Sequence, residues 1–366
     1  MSNNTTNETN LNSSSSGSLG GASSLDKQGR TVIIIGAGPA GIEAASQLAE
    51  NNVQVCLLEK ENEIGGNIKN WVKLFPDFTD ASDIRKALFD KLNNKNIEIK
   101  TGVSVDNLYA KNEKWIVQTG TDIKYSGDAV LLASGFSTFD ASRKEELGYG
   151  IYDNVITSVE FEKMTKDNKI LTAQGKTPKR IAFLNCVGSR DEKVGNNYCS
   201  RVCCINAVKQ AIETKELIPD SEVYVFYMDL RMSGQYYEEL YRKSQQDFGV
   251  NYIRGRISEA GGTIDKRVQI KTEDTLTGLP LKLTVDMLVL MVGMEPSQST
   301  TQLSKQHNIE GEYGFAKAYT PFLNDNKTDK KGLFLAGTCK RPLTIPETIA
   351  DARSSAIQIL EYLSKK

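Results

Sequence analysis

Four cysteines in one short segment are the residues of this sequence with the most specific chemistry. Cys186, Cys199, Cys203 and Cys204 fall within nineteen residues, and the last two are adjacent. Four thiolates on one loop and one helix start suit a cubane iron–sulfur cluster, because its irons are held by four cysteine thiolates. Zinc is the alternative metal, although its ligands usually come in more closely spaced pairs. A structural role for the four thiols is the third interpretation.

The positions of the other two cysteines do not indicate dithiol chemistry. Cys56 lies in a predicted buried strand, and Cys339 lies near the end of the chain; both are expected to pack as small hydrophobic residues. Flavoenzymes that use a dithiol place it just after a pair of glycines such as Gly65 and Gly66. Because the sequence has no cysteine between Cys56 and Cys186, an active disulfide at that position is excluded.

A glycine-rich turn near residue 36 predicts a dinucleotide site. The β-branched residues from Val32 to Ile35 predict a buried parallel strand that ends in the pattern Gly-x-Gly-x-x-Gly. Gly36 permits the tight turn, Gly38 lets the backbone approach a diphosphate, and Gly41 lets helix and strand pack closely. Glu59 follows the next predicted strand, where its carboxylate would accept hydrogen bonds from ribose hydroxyls. Together these features predict FAD; the alternative is a glycine turn without a ligand.

A second α/β pattern, which begins at Arg180, predicts the domain organisation. Before it, residues 97–105 and 114–119 are each predicted to form a strand. In the second pattern, a predicted strand over Ile181–Asn185 is followed by a helix from about Ser200 to Lys215, a further helix and strands, a hairpin and a last strand ending near Gly293. This order is typical of the nicotinamide-binding domain of flavoproteins with two dinucleotide-binding domains. A cysteine-bearing segment stands where that domain needs its glycine turn, so the pyridine-nucleotide site is predicted to be replaced. The expected fold is α/β, a two-dinucleotide-binding-domain flavoprotein fold: an FAD Rossmann-type domain over residues 31–150 and 290–366, with a second α/β domain, residues 151–289, inserted.

The composition of the chain limits its possible partners and its location in the cell. The chain has 366 residues, 39% of them hydrophobic, and a formal net charge of −1, so nothing indicates a nucleic-acid partner. No apolar run reaches the roughly 18 residues that a membrane-spanning helix needs. Residues 1–30 are rich in Ser, Asn, Thr and Gly and are predicted to be a disordered tail rather than a secretory signal. We therefore expect a cytoplasmic protein without a membrane span.

Three segments resemble a known family. NCVGSRDE…YCSRVCC, FYMDLR…GQYYEELY and FGVNYIRGR are similar to the A-type subunit of heterodisulfide reductase. The resemblance implies that Cys186, Cys199, Cys203 and Cys204 bind one [4Fe–4S] cluster beside FAD. It also implies that Lys209, five residues after the last of these cysteines, lies near the flavin N5 atom, where a cation would stabilise a reduced, anionic flavin.

The resemblance also implies a type of multi-subunit complex in which the chain would work. The methanogen proteins are longer and carry additional ferredoxin-type cysteines, whereas GGNIKNWVK and AGTCKRP resemble the short form of the sulfur-oxidising heterodisulfide reductase-like complex. The resemblance then implies an electron-transfer subunit, built on a homodimer, with B and C type subunits and a lipoate-binding protein as partners. The alternatives are the flavoprotein subunit of the quinone-interacting complex of sulfate reducers and a stand-alone NAD(P)H-dependent flavoprotein reductase. The predicted cofactor-binding residues are Gly36, Gly38, Pro39, Ala40, Gly41, Glu59, Lys60, Gly66, Asn67, Val105, Ala133, Ser134, Gly135, Gly337 and Thr338.

Overall fold

Two five-stranded parallel sheets organise the part of the chain that this computed structural model describes, residues 29–120 and 123–366. Residues 1–28 of the predicted tail lie outside the described residues. The strands are β1 (Thr31–Ile35), β2 (Gln54–Leu58), β3 (Lys73–Leu74), β4 (Thr79–Asp80), β5 (Ile97–Lys100), β6 (Asn107–Lys111), β7 (Lys114–Thr119), β8 (Ile123–Gly127), β9 (Ala129–Leu132), β10 (Phe136–Thr138), β11 (Val155–Thr157), β12 (Arg180–Val187), β13 (Glu222–Tyr227), β14 (Asn251–Arg254), β15 (Glu259–Gly262), β16 (Val268–Asp274), β17 (Leu279–Val285), β18 (Met287–Val292), β19 (Met294–Pro296) and β20 (Leu333–Leu335). The helices are α1 (Pro39–Glu50), α2 (Ala81–Asp90), α3 (Ser158–Lys166), α4 (Cys203–Leu217), α5 (Tyr237–Gln246), α6 (Gln298–Gln306) and α7 (Ile345–Ser364). None of these helices is both long and apolar enough to cross a lipid bilayer.

The first sheet has the order β20–β9–β1–β2–β5. We call this sheet, together with the elements that pack on it, the first unit. Its central strand β1 is β-branched and buried on both faces, as a strand covered on both sides requires. Val32 and Ile34 pack with helices α1 and α7, whereas Ile33 and Ile35 pack on the opposite face with Trp115. Parallel strands bring their carboxyl ends to one edge, where the glycine turn after β1 lies.

The second sheet, the core of the second unit, has the order β11–β18–β12–β13–β14 and is also parallel. Helices α3 and α4 pack on one face through Phe161 and Ala207, and the antiparallel ribbon β15–β16–β17 covers the other through Ile270 and Val285. In sequence, all five strands lie between β9 and β20. The predicted parallel α/β architecture with an inserted second unit is therefore confirmed.

A short antiparallel pair connects the two units. Strand β10 leads out of the first unit and β19 leads back into it, and the two pair from Phe136 opposite Pro296 to Thr138 opposite Met294. The two segments in which the chain passes between the units therefore lie side by side. Other contacts between the units must fix how the second unit faces the first.

For two of the predicted elements whose bounds differ from the observed ones, the backbone conformation explains the difference. The strand predicted over residues 97–105 ends at Lys100, since Gly102 adopts a left-handed conformation with φ +68°. The helix predicted from Ser200 begins at Cys203, because Arg201 has φ +64° and cannot continue a right-handed helix. Cys203 and Cys204 are therefore the first two residues of α4.

Candidate functional site

A cavity of about 740 Å³ lies at the carboxyl ends of β1, β2 and β9 and extends to the second unit. This volume is within the range of sites that hold small molecules and cofactors. Its lining is mainly apolar, and most of the predicted cofactor-binding residues belong to it: Gly36, Gly38, Pro39, Ala40, Glu59, Lys60, Gly66, Asn67, Val105, Ala133, Ser134, Gly135 and Thr338. Gly41 and Gly337 are absent from the lining, but they pack against two residues of it, Gly36 and Ala40 respectively.

The three glycines of the turn have different surroundings. A Cβ at Gly36 would lie 2.5 Å from the Ala133 carbonyl oxygen, and one at Gly41 would lie 1.9 Å from the Gly36 oxygen. Both glycines are therefore required for packing. At Gly38 the nearest atom to such a Cβ would be the Gly66 Cα, 3.8 Å away, so this backbone faces open space. Helix α1 begins here without a side-chain cap, which leaves its first amide groups available to a diphosphate.

Glu59 is buried at the end of β2, and its carboxylate is already oriented. One oxygen accepts a hydrogen bond from the Ala37 amide at 2.8 Å, and the other accepts one from the Glu61 amide at 3.0 Å. A carboxylate can accept further hydrogen bonds with its remaining lone pairs. The residues around this cavity thus fit the diphosphate and adenosine ribose of FAD.

We expect Glu59→Ala to weaken FAD retention by roughly 1–3 kcal/mol, because a hydrogen bond to a charged acceptor is lost. The measurement is the dissociation constant of FAD for apoprotein, followed by flavin fluorescence. Glu63→Ala is the matched control, since Glu63 is an exposed acid of the same loop that pairs with Arg85. Equal retention in both variants would contradict the role given to Glu59.

The four cysteines lie where β12 ends and α4 begins. Cys199 lies within the segment that we call the cysteine loop (residues 188–202), and the other three flank it. Cys186, Cys203 and Cys204 are buried, Cys199 is half-buried, and Cys203 also belongs to the cavity wall. Burial raises the pKa of Cys186 to about 12, and the neighbouring Cys204 and Cys199 contribute to that rise. The pKa of Cys203 is raised first by burial and then by the three other thiols. The thiols are thus close enough to influence one another.

In their observed positions, the four thiols could act together as ligands only if they moved closer to one another or bound a group larger than a single metal ion. Among the described residues, no three His, Cys, Asp or Glu side chains are grouped tightly enough to hold a single metal ion as they stand. The donor set itself fits an iron–sulfur cluster, which is bound by four cysteine thiolates. The start of helix α4 supports an anionic group as well, because the residue that precedes it, Val202, provides no side-chain cap.

The backbone of the cysteine segment is strained at three points. Cys186, Arg190 and Arg201 have φ values of +63°, +53° and +64°, which residues with a Cβ rarely adopt. Each such residue costs about 1–3 kcal/mol, so the surrounding structure must hold it, and such strain is concentrated at functional sites. Here Ser200 holds the loop: its hydroxyl bonds Ser189 and accepts from the Met294 amide.

The two arginines of the cysteine loop make different contacts. Arg190 donates to Asp229 at 2.7 Å and lies beside Cys186, where its guanidinium opposes the effect of burial on the thiol pKa. A thiolate at Cys186 would therefore have a cation next to it. Arg201 instead donates to Glu347 of helix α7, so its charge is directed toward the first unit.

Lys209 lies behind the cavity wall and is not part of the lining. Its ammonium donates to both oxygens of Glu162, at 2.6 and 2.7 Å, and to the carbonyl of Lys73 at 2.9 Å. Glu162 also accepts from the amide of Val72, next to the cavity-lining Lys73. Sequence analysis missed Glu162, because one acid in an amphipathic helix gives no signal of burial. The placement of Lys209 at the flavin N5 atom stays a prediction.

The corresponding edge of the second sheet is filled by protein. A Cβ at Gly188 would lie 2.0 Å from the ring of Phe139, which is buried against this turn. The buried Asp191 pairs with Lys144 at 2.8 Å and with Arg256 at 2.7 Å. Only about 30 Å³ of space remains beside these residues, enough for little more than one water molecule. The cavity beside this turn is therefore too small for a second dinucleotide.

The end of the first sheet supports the cavity from the other side. The Gly337 amide donates to the Asp351 carboxylate at 2.6 Å, and a Cβ at Gly337 would lie 2.8 Å from the Ala40 Cβ. Thr338 then faces the cavity. The thiol of Cys339 is fully buried and donates to two backbone carbonyls at 3.2 Å, which fits the expected packing role.

Two similar curated proteins are A-type subunits of heterodisulfide reductases. The A-type subunit of the H2/formate:CoB-CoM heterodisulfide,ferredoxin reductase of Methanococcus maripaludis is 32% identical over 92% of this chain and 64% of its own length. The A-type iron-sulfur subunit of the CoB–CoM heterodisulfide reductase of Methanocaldococcus jannaschii is 32% identical over 89% of this chain and 63% of its own length. The chain thus spans just under two thirds of the length of these relatives.

Solved structures share the fold. Thioredoxin reductase from Lactococcus lactis has a TM-score of 0.67 and 17% identity, covering 92% of this chain and 100% of that one. Thioredoxin reductase from T. acidophilum has a TM-score of 0.65 and 21% identity, covering 91% and 98%. The family model for pyridine nucleotide-disulphide oxidoreductases matches residues 30–356. This chain therefore belongs to the pyridine nucleotide-disulphide oxidoreductase family, which makes it an oxidoreductase and implies FAD as its cofactor.

Proposed function

We propose that this chain is the FAD- and [4Fe–4S]-containing electron-transfer subunit of a heterodisulfide reductase-like complex that works in sulfur oxidation. One observation carries the proposal: Cys203, a member of the four-cysteine set, forms part of the wall of the flavin cavity. The two proposed centres therefore share a boundary. Flavins exchange two electrons with substrates and single electrons with clusters, which is the chemistry that FAD supplies here.

The residues of the chain have separate tasks in this scheme. Gly38 and the start of helix α1 bind the diphosphate, and Glu59 orients the ribose. Cys186, Cys199, Cys203 and Cys204 hold the cluster, with Arg190 compensating its negative charge. The apolar lining excludes water from the space between the two sites.

A stand-alone NAD(P)H-dependent reductase fits the second unit poorly. Such an enzyme binds the nicotinamide cofactor at the turn after the first strand of that unit, and here Phe139 covers Gly188. The ion pairs of Asp191 fill the neighbouring space. The proposed complex needs no nucleotide at this place, since electrons would arrive from or leave to partner subunits.

The partners proposed for the complex are B and C type subunits of the heterodisulfide reductase-like kind, together with a lipoate-binding protein and a second copy of this chain. Support comes from the relatives, which are named as one subunit of a larger reductase. The rival, a quinone-interacting complex of sulfate reduction, would be recognised by a different set of co-purifying subunits.

The isolated chain is expected to show no turnover with disulfides or sulfane-sulfur compounds, because Cys203 is the only cysteine of the described residues that lines the cavity and it is assigned to the cluster. Dithionite should reduce it, whereas NADH and NADPH should leave the flavin oxidised. Activity should appear after reconstitution with cysteine-rich partner subunits, measured with a dye as electron acceptor. Rapid turnover by the chain alone would refute the relay, and rapid flavin bleaching by NADH would favour the stand-alone reductase.

A further inference from the structure

One ion pair joins the cysteine loop to the first unit across the cavity. Arg201 donates from one nitrogen to Oε1 of Glu347 at 2.7 Å and from the other to Oε2 at 3.2 Å. This is the two-pronged geometry in which an arginine fixes the orientation of a carboxylate as well as its distance. Arg201 lies between Cys199 and Cys203, and its own amide donates to the Cys199 sulfur at 3.3 Å.

Glu347 is itself held in place by the start of helix α7. It is the third residue of helix α7 and completes a capping box, in which the amide and hydroxyl of Thr344 donate to its Oε2 at 2.8 and 2.9 Å. Thr344 and the next two residues line the cavity, as do Val202 and Cys203 on the opposite side. The ion pair therefore bridges two walls of the cavity that belong to different units.

The same loop is anchored a second time, by aromatic packing. The ring of Tyr198 lies 4.9 Å from that of Tyr313 and 5.4 Å from that of Phe315, measured between ring centroids. Its hydroxyl donates to the Met294 carbonyl at 2.7 Å. Because β10 and β19 are only three residues long, these contacts help to hold the cysteine loop against the first unit, together with the contacts of Glu162 and Lys209 with residues 72 and 73.

We infer that Arg201 and Glu347 form a clasp that holds the cysteine loop against the flavin cavity and so sets the separation of the two redox centres. The inference rests on the proposed function for its purpose, but the clasp is a property of the chain itself. Both are positioning residues: Arg201 acts through Cys199 and Cys203, and Glu347 acts through Arg201. The left-handed backbone of Arg201 directs its side chain away from the continuing helix, which gives the strain at this residue a role.

Glu347→Gln tests the clasp with little other disturbance. Glutamine serves in a capping box as glutamate does, so helix α7 keeps its start while the charge that holds Arg201 is lost. We expect FAD and iron contents equal to those of the wild type. Backbone amides of residues 199–204 should exchange hydrogen roughly tenfold faster in the purified holoprotein, because the loop opens more often. The rate of electron transfer from photoreduced flavin to the cluster should fall several-fold.

Two further variants make the test specific. Arg201→Gln should reproduce both effects, and the double variant should add nothing to either single one, because both remove the same contact. Glu361→Gln is the matched control: Glu361 lies on helix α7 and pairs with Lys327 and Lys365, outside the cavity lining. It should leave exchange and electron transfer unchanged.

The outcomes separate the clasp from the proposed function. Unchanged exchange in Glu347→Gln, or fully additive effects in the double variant, would overturn the clasp. If the wild-type protein instead carries no iron or shows no flavin-to-cluster transfer, the proposed function fails. Faster exchange of residues 199–204 in that case still supports the clasp, since this measurement requires no electron transfer.

Discussion

Replacing any one of Cys186, Cys199, Cys203 or Cys204 with serine is expected to abolish the iron–sulfur cluster or convert it to a smaller one. Anaerobically purified wild-type protein should contain about four irons per chain, and each variant should contain fewer. The reason is that each iron of the cluster takes one thiolate, and a buried hydroxyl is a poorer ligand. Iron analysis and electron paramagnetic resonance of the reduced protein are the measurements.

The flavin should respond differently in the four variants. Cys203 belongs to the cavity wall, whereas Cys199 does not, so Cys203→Ser should perturb the visible spectrum of the bound flavin and Cys199→Ser should not. The matched control is Cys56→Ser, which makes the same chemical change at a buried position of β2, away from the other thiols. Iron loss in this control, or stoichiometric zinc in place of iron in the wild type, would contradict the cluster.

Much of the fold can be predicted from the sequence, because local patterns determine it. The β-branched run of β1 and the glycine turn after it favour a buried strand and a close helix approach, and both are observed. The sequence also predicts strand β7 with its observed bounds, Lys114–Thr119, since its centre is a run of aromatic and β-branched residues, Trp115 to Val117. It does not predict the start of helix α4, because the left-handed backbone of Arg201 is held by contacts with Glu347, far away in the sequence.

The candidate site, like the fold, is only partly predictable from the sequence. Gly38 and Glu59 are recognisable because a dinucleotide requires these residue types at this spacing. The filling of the second sheet edge by Phe139 cannot be foreseen, since a phenylalanine in a linker has no distinguishing pattern. Neither can the partner of Lys209, because burial of a charged pair depends on how two helices of the second unit pack.

The buried ion pair of Lys209 and Glu162 is expected to contribute strongly to the stability of the fold. We expect Lys209→Met to lower the free energy of unfolding by about 3–5 kcal/mol, since it leaves the carboxylate of Glu162 buried without its cation. Lys209 and Glu162 have almost no exposed side-chain surface, so water cannot replace the lost partner. Urea unfolding of the purified holoprotein, followed by circular dichroism, measures the loss.

The loss should depend on pH in a defined direction. Burial raises the pKa of Glu213, the second acid next to Lys209, to about 7, and the lysine partly opposes this rise. Removing the lysine therefore raises the folded-state pKa of Glu213 further. A carboxyl whose pKa is higher in the folded than in the unfolded protein binds more protons when folded, so stability falls as pH rises between the two values. The defect of Lys209→Met should therefore be larger at pH 8 than at pH 6.

Two comparisons identify the buried charge as the cause. The double variant Lys209→Met with Glu162→Gln carries no unpaired charge at Glu162 and should recover a substantial part of the lost stability. Lys163→Met, on the exposed face of helix α3 next to Glu162, should change the free energy of unfolding by less than about 0.5 kcal/mol. A small, pH-independent effect of Lys209→Met would mean that Lys209 does not neutralise Glu162. The ammonium would then be free to reach the flavin, as the family resemblance implies, and the flavin potential of the variant rather than its stability would change.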